Sequence, residues 1–126
     1  HFDVSGIADL AEKPPVLWVH GTADAIVSDA SFYDFNHLGK LGIVPDWPGD
    51  ETAPPQPMVS QMRDVLDRYA AGGGDVTELA LDDVGHTPHL ERPAEFRHAL
   101  LTVIGYISTH VHPSPPTEAI ILKSAD

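Results

Sequence analysis

The chain has 126 residues, of which 42% are hydrophobic, and it carries 19 Asp and Glu against 7 Lys and Arg, a formal net charge of −12. This length and composition predict one globular domain with an apolar core. The acidic excess argues against nucleic acid and anionic membranes as partners, because phosphate groups are bound by clustered Lys and Arg. The sequence has no cysteine, which excludes disulfides and thiolate nucleophiles and favours a cytoplasmic location.

The first predicted strand is Pro15–His20. Its apolar run VLWV does not alternate with polar residues, and such a run is typical of a strand buried on both faces of a parallel sheet. Upstream, Val4, Ile7 and Leu10 recur at three-residue spacing and indicate a short helical turn. The chain begins at His1 without an initiator methionine, which suggests a cut or processed end.

A short helix and a proline-rich loop are predicted next. Ser28 and Asp29 are residue types that cap helices, and they predict a helix from about Asp29 to Leu38. Residues 43–57 contain five prolines and Trp47. This composition predicts an ordered insertion without regular structure.

The second half of the chain is predicted to form helix, strand and helix. A helix begins at Pro57 and ends at Gly72–Gly74, the second strand is Val76–Leu81, and the last helix begins at Pro93. The apolar stripe of the first of these helices comprises Val59, Met62, Val65, Leu66 and Tyr69, and that of the last comprises Phe96, Leu100, Val103, Ile104 and Ile107. Residues 111–126 are predicted to form an extended tail. No apolar run approaches the roughly 20 residues that span a bilayer.

The alternation of strands and helices predicts an α/β fold with parallel strands over residues 1–110. Two strands do not form a stable parallel sheet by themselves, because a buried parallel pair needs cover on both faces. We therefore expect these strands to belong to a larger sheet.

Each predicted strand is followed by a loop with a side chain that can take part in catalysis. Asp24 follows the first strand, and His86, preceded by Gly85, follows the second. Functional groups gather at the carboxyl ends of parallel strands, and an imidazole can act as a general base near neutral pH. Taken alone, however, Asp24 is more typical of a turn aspartate that binds its own backbone, and His86 and His89 of polar surface residues.

Together the two stretches resemble the C-terminal part of the α/β-hydrolase superfamily. PVLWVHGTAD, which ends at Asp24, is similar to the family's acid strand and loop, and GHTPHLERP, from Gly85 to Pro93, is similar to its histidine loop and the start of the next helix. The resemblance covers about residues 9–107 and implies that the chain supplies the last two parallel strands of a hydrolase sheet with their flanking helices.

The resemblance also implies roles for individual residues. Asp24 would orient and support the imidazole of His86, which would take a proton from a nucleophile and return it to the leaving group. The spacing between Asp24 and His86 is longer than in compact versions of the pattern, and the proline-rich insertion accounts for the difference. Glu91 is expected to have a local role in holding the loop or the last helix.

The nucleophile of such a triad is missing. None of the serines lies between glycines in a G-x-S-x-G pattern, and no oxyanion-hole segment is recognisable. We therefore expect a C-terminal fragment or processed chain of a longer hydrolase that acts on a small ester-like substrate, needs no cofactor and is inactive alone. The first strand would have an unpaired edge, so the expected partner is the N-terminal part of the same hydrolase or a second copy of this chain.

Two alternatives to the hydrolase stay open. Histidine and carboxylate suit zinc, so His20, Asp24, His86 and His89 form a candidate metal site. The loop with Trp47 could instead serve a non-catalytic interaction module, although an insertion packed on its own domain is the more common case. The region from Phe32 to Trp47 follows the acid loop and is a candidate lining for a substrate pocket.

Overall fold

The computed structural model describes residues 4–110, and in the last helix the side chains up to Gly105. The elements in chain order are a 3₁₀ helix (Ser5–Asp9), strand β1 (Val16–Gly21), helix α1 (Phe35–Lys40), helix α2 (Met58–Ala71), strand β2 (Val76–Leu81), helix α3 (Pro88–Glu91) and helix α4 (Pro93–His110). The predicted tail, residues 111–126, lies outside the described residues. Within residues 4–110, no helix has the length and apolar character needed to cross a membrane.

The two strands pair in parallel and form a two-stranded sheet. Val16 lies opposite Val76, and Gly21 lies opposite Leu81. The second predicted strand is confirmed at its bounds, and β1 begins and ends one residue later than predicted. The structure thus has the mixed α/β content that the sequence predicts.

Helix α2 connects the strands and supplies much of the small core. The predicted stripe of α2 lies on its least exposed side, with Tyr69 1% and Leu66 4% exposed. The Tyr69 hydroxyl donates a hydrogen bond to the carbonyl of Pro14, just before β1. Gly72 caps the helix, and Gly73 follows with a φ of 90° that favours glycine. The helix therefore ends where the sequence predicts and begins one residue later, at Met58.

The prediction of a helix from Asp29 to Leu38 is wrong at its start, because α1 begins only at Phe35. The carboxylate of Asp29 accepts a hydrogen bond from the amide of Ser60 in α2, at 2.9 Å, and is therefore not available to cap a helix of its own segment. Asp34 is the cap instead, and it accepts a hydrogen bond from the amide of Asn36 at 2.9 Å. Both aspartates are of a capping type, so composition alone does not distinguish them.

Residues 43–57 contain neither helix nor strand, and the loop packs on α1. A Cβ atom at Gly39 would lie 2.5 Å from the side chain of Trp47, so only glycine permits this contact. The indole Nε1 of Trp47 donates a hydrogen bond to the carbonyl of Ala53 at 3.0 Å. Trp47 is half-buried against its own chain, which does not favour the alternative of an exposed binding loop.

The last helix begins at Pro93 as predicted, and the single turn α3 before it is not a predicted element. In the apolar stripe of α4, Phe96 and Val103 are half-buried, whereas Leu100 is 39% and Ile104 47% exposed. The side chain of Ile107 lies outside the described side chains. The stripe is therefore only partly covered within residues 4–110.

Candidate active site

The candidate site lies where both strands end. The loops that follow β1 and β2 continue to bind each other beyond the sheet. The amide of Thr22 donates to the carbonyl of Leu81, and the amide of Ala23 to that of Val84, each at 2.9 Å. In the opposite direction, the amide of Asp83 donates to Oγ1 of Thr22 at 3.1 Å. The two loops are thus held together by the backbone as well as by side chains.

The close approach of the loops depends on Gly21, the last residue of β1. A Cβ atom at this position would lie 2.0 Å from the carbonyl oxygen of Val84 and 2.4 Å from that of Gly85. Both are backbone atoms, so a larger residue would push the loops apart. Glycine at the end of β1 therefore permits the loop of Asp24 to contact the loop of His86.

The structure brings Asp24 and His86 into direct contact. Nδ1 of His86 lies 2.9 Å from Oδ2 of Asp24. The other carboxylate oxygen, Oδ1, accepts hydrogen bonds from the amides of Ile26 at 2.7 Å and Val27 at 3.0 Å. Asp24 therefore makes the contacts of a turn aspartate with one oxygen and binds the histidine with the other.

The side chains of Asp24 and His86 differ in how much of their surface is exposed. The side chain of Asp24 is 6% exposed and that of His86 is 49% exposed. Burial raises the pKa of Asp24, but the hydrogen bonds from His86, Val27 and Ile26 outweigh it and leave the pKa below its ordinary value. An ionised carboxylate only accepts hydrogen bonds, so Nδ1 of His86 is the donor, and Nε2 of the neutral ring carries the free electron pair.

Glu91 holds the histidine loop in the way the sequence predicts. Its Oε2 accepts a hydrogen bond from the amide of Gly85 at 2.9 Å, and its Oε1 accepts from the hydroxyl of Thr87 at 3.0 Å. The bond from Gly85 is the main cause of a lowered pKa of Glu91. The amide of Thr87 also donates to Oε1 at 3.2 Å, so Glu91 fixes the backbone on both sides of His86.

A second histidine–carboxylate pair lies beside this site and was not predicted. Nε2 of His20 lies 2.9 Å from Oε1 of Glu78, and the ring of His20 stacks on Trp18 with centroids 4.3 Å apart. Arg63 of α2 binds the same Glu78 oxygen through Nη2 at 2.6 Å. Hydrogen bonds and charge from Arg63, with a smaller contribution from His20, lower the pKa of Glu78 to about 2. The two-residue period of a strand places Trp18 and His20 on one face, so the sequence could have indicated that they are neighbours. Glu78 could not be found in this way, because it requires the register of β1 against β2.

An open cavity of about 300 Å³ lies between this cluster and the acid loop. Its walls include His20, Thr22, Asp24, Asp29 and Arg63, and His86 is not part of its lining. The cavity therefore reaches His20 and Asp24 but not His86.

The structure does not support the alternative of a metal site. His86 contacts Asp24, whereas His20 contacts Glu78, and the ring of His89 lies 6.0 Å from that of Phe96. Among residues 4–110, no group of three or more His, Asp and Glu side chains is arranged to hold a metal ion. The four candidate ligands are thus distributed over three separate contacts.

The chain was compared with protein-family models, with curated proteins and with solved structures, and none of the three comparisons found a match. The class that the fold and the site define is an α/β protein with a parallel strand pair and an Asp–His pair at the carboxyl ends of the strands.

Proposed function

We propose that this chain is the C-terminal portion of a hydrolase of the α/β-hydrolase type. In this proposal Asp24 and His86 are the acid and the base of a nucleophile–His–Asp triad that hydrolyses a small ester-like substrate. The observation that carries the proposal is the 2.9 Å contact between a buried carboxylate and a half-exposed imidazole, beyond the ends of two parallel strands. The chain order, acid before histidine, agrees with that of the family.

The proposed reaction has two steps, and both use Nε2 of His86. In the first, Nε2 removes the proton of a hydroxyl nucleophile, whose oxygen forms a bond to the ester carbonyl carbon. The carbon–oxygen bond to the leaving group then breaks, and the imidazolium returns the proton to the departing alcohol. In the second step, Nε2 takes a proton from water, the hydroxide attacks the acyl intermediate, and the nucleophile leaves and regains its proton. Asp24 stabilises the imidazolium in both steps.

The nucleophile is proposed to come from the N-terminal part of the same hydrolase. None of the serines in this sequence lies in a G-x-S-x-G pattern. Within residues 4–110, β1 pairs only with β2, and its apolar residues stay half-buried. An apolar strand with a free edge is suited to pair with another strand. This supports assembly with the N-terminal part, with a second copy of this chain as the alternative occupant of the edge.

The test is turnover of a short-chain nitrophenyl ester by this chain, alone and mixed with the N-terminal part of the hydrolase. We expect no turnover by the chain alone and turnover by the mixture that His86→Ala abolishes. His89→Ala is the matched control, because His89 lies three residues further on, in α3, and its ring lies beside Phe96. Turnover that persists in His86→Ala would refute the assignment.

A further inference from the structure

Glu91 is an acidic side chain beside the candidate active site that the proposed reaction does not use. It is the last residue of the single-turn helix α3 and binds back to the loop of His86. Its Oε2 accepts from the amide of Gly85 at 2.9 Å, and its Oε1 accepts from the amide and the hydroxyl of Thr87 at 3.2 and 3.0 Å. Three hydrogen bonds thus converge on the two residues that flank His86.

The ring of His86 depends on this backbone for its position. Its side chain is half-exposed, so packing restrains it little. Among residues 4–110, the ring makes one side-chain hydrogen bond, from Nδ1 to Asp24. Residues 82–87, which carry it, form neither helix nor strand, so no regular ladder of backbone bonds fixes them. A shift of this loop would therefore move the ring away from the carboxylate of Asp24.

Gly85 leaves room for the carboxylate of Glu91. A Cβ atom at position 85 would lie 3.2 Å from Oε1 and 3.6 Å from Oε2. Such a carbon would crowd the nearer oxygen, so a side chain at this position would push the carboxylate and the loop apart. The glycine before His86 therefore belongs to the same arrangement as the three hydrogen bonds.

Glu91 lies close enough to Asp24 for the two carboxylates to repel each other. The bond from Gly85 lowers the pKa of Glu91 most, whereas the charge of Asp24 acts in the opposite direction. A neutral side chain could cap α3 without this repulsion. A neutral hydroxyl or amide has only one acceptor oxygen, however, and could not bind the amides of Gly85 and Thr87 with separate atoms. The carboxylate is thus suited to hold both sides of His86 at once.

We propose that Glu91 is a positioning residue for the base of the proposed hydrolase. By holding the amides of Gly85 and Thr87, it keeps Nδ1 of His86 on the carboxylate of Asp24. Glu91 acts through His86 and not on the reacting atoms. This role rests on the proposed function, because His86 is a base only in that reaction. The alternative is that Glu91 caps α3 and has no influence on the ring.

The position of the ring is tested on the full chain with ¹⁵N-labelled histidines, without any turnover. In the parent chain we expect the proton of the neutral ring of His86 on Nδ1, and slow exchange of this proton with water. Glu91→Ala removes all three bonds. We expect this proton to exchange at least about tenfold faster in Glu91→Ala, and the ring to populate both tautomers, because the bond to Asp24 is weakened. Glu91→Gln keeps one acceptor oxygen and is expected to give a smaller change in the same direction.

Glu95→Gln is the matched control for charge. Glu95 lies in the first turn of α4 and binds Arg92 at 2.9 Å, so its variant removes the same charge and is expected to leave the ring of His86 unchanged. The amide signals of α2 show whether each variant keeps the fold. Where Glu91→Ala loses these signals, Glu91→Gln replaces it in every comparison.

Turnover separates a positioning residue from a helix cap. In the assembled hydrolase we expect Glu91→Ala to lower kcat about 100-fold and to leave KM nearly unchanged, because the base is displaced from the reacting oxygen. A residue that only caps α3 would lower stability and leave the kcat of the folded enzyme as it is.

Two results for the ring would overturn the inference. If the ring of His86 keeps its tautomer and its slow exchange in folded Glu91→Ala, Asp24 holds it without help. If Glu95→Gln changes the ring equally, net charge is the cause and the three bonds are not.

The proposed function and the inference fail in different ways. If turnover by the assembled hydrolase persists in His86→Ala, the proposed function is wrong, whereas the effect of Glu91 on the ring is measured without turnover. If turnover depends on His86 but kcat is the same in the parent and in Glu91→Ala, the positioning role alone is wrong.

Discussion

The roles proposed for Asp24 and His86 follow from their unequal burial. Asp24 is almost fully buried, yet two amides and the histidine ring compensate the loss of water around its charge. His86 makes one side-chain contact with it and keeps half of its surface exposed. A buried, fixed carboxylate selects the tautomer of an exposed imidazole. The pair can therefore act as a base only through Nε2.

The contact between Asp24 and Nδ1 of His86 predicts the effect of Asp24→Asn on the tautomer of His86. An amide at position 24 can present its NH₂ group to Nδ1, so the ring proton is expected to move from Nδ1 to Nε2. The ¹⁵N shifts of the two ring nitrogens, measured with the ring neutral, report the change. In the assembled hydrolase we expect a loss in kcat of about 10⁴-fold, because the electron pair no longer lies at Nε2.

Asp29→Asn is the control for this prediction. Asp29 lies in the same loop region and binds Ser60 rather than His86, so its variant is expected to leave the tautomer unchanged. If Asp24→Asn also kept the proton on Nδ1, the carboxylate would not be what orients the ring.

At the scale of elements, the sequence predicts those strands and helices whose bounds are determined by local residue patterns. The continuous apolar run VLWV and the helical spacing of the α2 stripe are local patterns, and both elements form nearly at their predicted bounds. The start of α1 was not predictable in this way, because the choice between Asp29 and Asp34 depends on a contact with α2. Likewise, strand order and a preceding glycine identify Asp24 and His86 as candidates, but the cluster around Glu78 requires the register of the strand pair.

The ion pair of Arg63 with Glu78 joins α2 to β2, and Glu78→Gln tests its contribution to stability. The folded-state pKa of Glu78, about 2, lies below the ordinary 4.5. Its contribution to the free energy of unfolding is therefore fully present above about pH 4.5 and is lost as the pH falls towards 2. We expect Glu78→Gln to cost at most about 1 kcal/mol at neutral pH, because water and salt screen this partly exposed pair.

Urea unfolding at a series of pH values measures this effect. The difference between the parent chain and Glu78→Gln is expected to shrink as the pH falls, and also when salt is added at neutral pH. Glu51→Gln, in the proline-rich insertion, removes the same charge from a residue that is in none of the ion pairs among residues 4–110. A difference for Glu78→Gln that stays constant across the pH series would contradict the assigned role.

At the scale of the whole molecule, the main feature is that β1 pairs within residues 4–110 on one side only, with β2. Val16 donates to the carbonyl of Asp75, and Thr22 to that of Leu81. Since amides alternate in direction along a strand, those of Trp18 and His20 point towards β2, and those of Leu17 and Val19 point to the open edge.

Hydrogen exchange therefore tests the proposed assembly residue by residue. In the chain alone we expect slow exchange at Trp18 and His20 and fast exchange at Leu17 and Val19. Addition of the N-terminal part of the hydrolase is expected to protect Leu17 and Val19 as well. Protection of all four amides in a dilute monomer would show that another segment of this chain already covers the edge.

The backbone hydrogen bonds between the loops after β1 and β2 affect how the proposed hydrolase would assemble. Thr22 and Ala23 bind the second loop whether or not a nucleophile is present, and Gly21 allows the close approach. The proposed acid and base are thus oriented in the chain without a partner. Association then needs to position one attacking oxygen against an existing base, so little of the binding energy is spent on ordering these side chains.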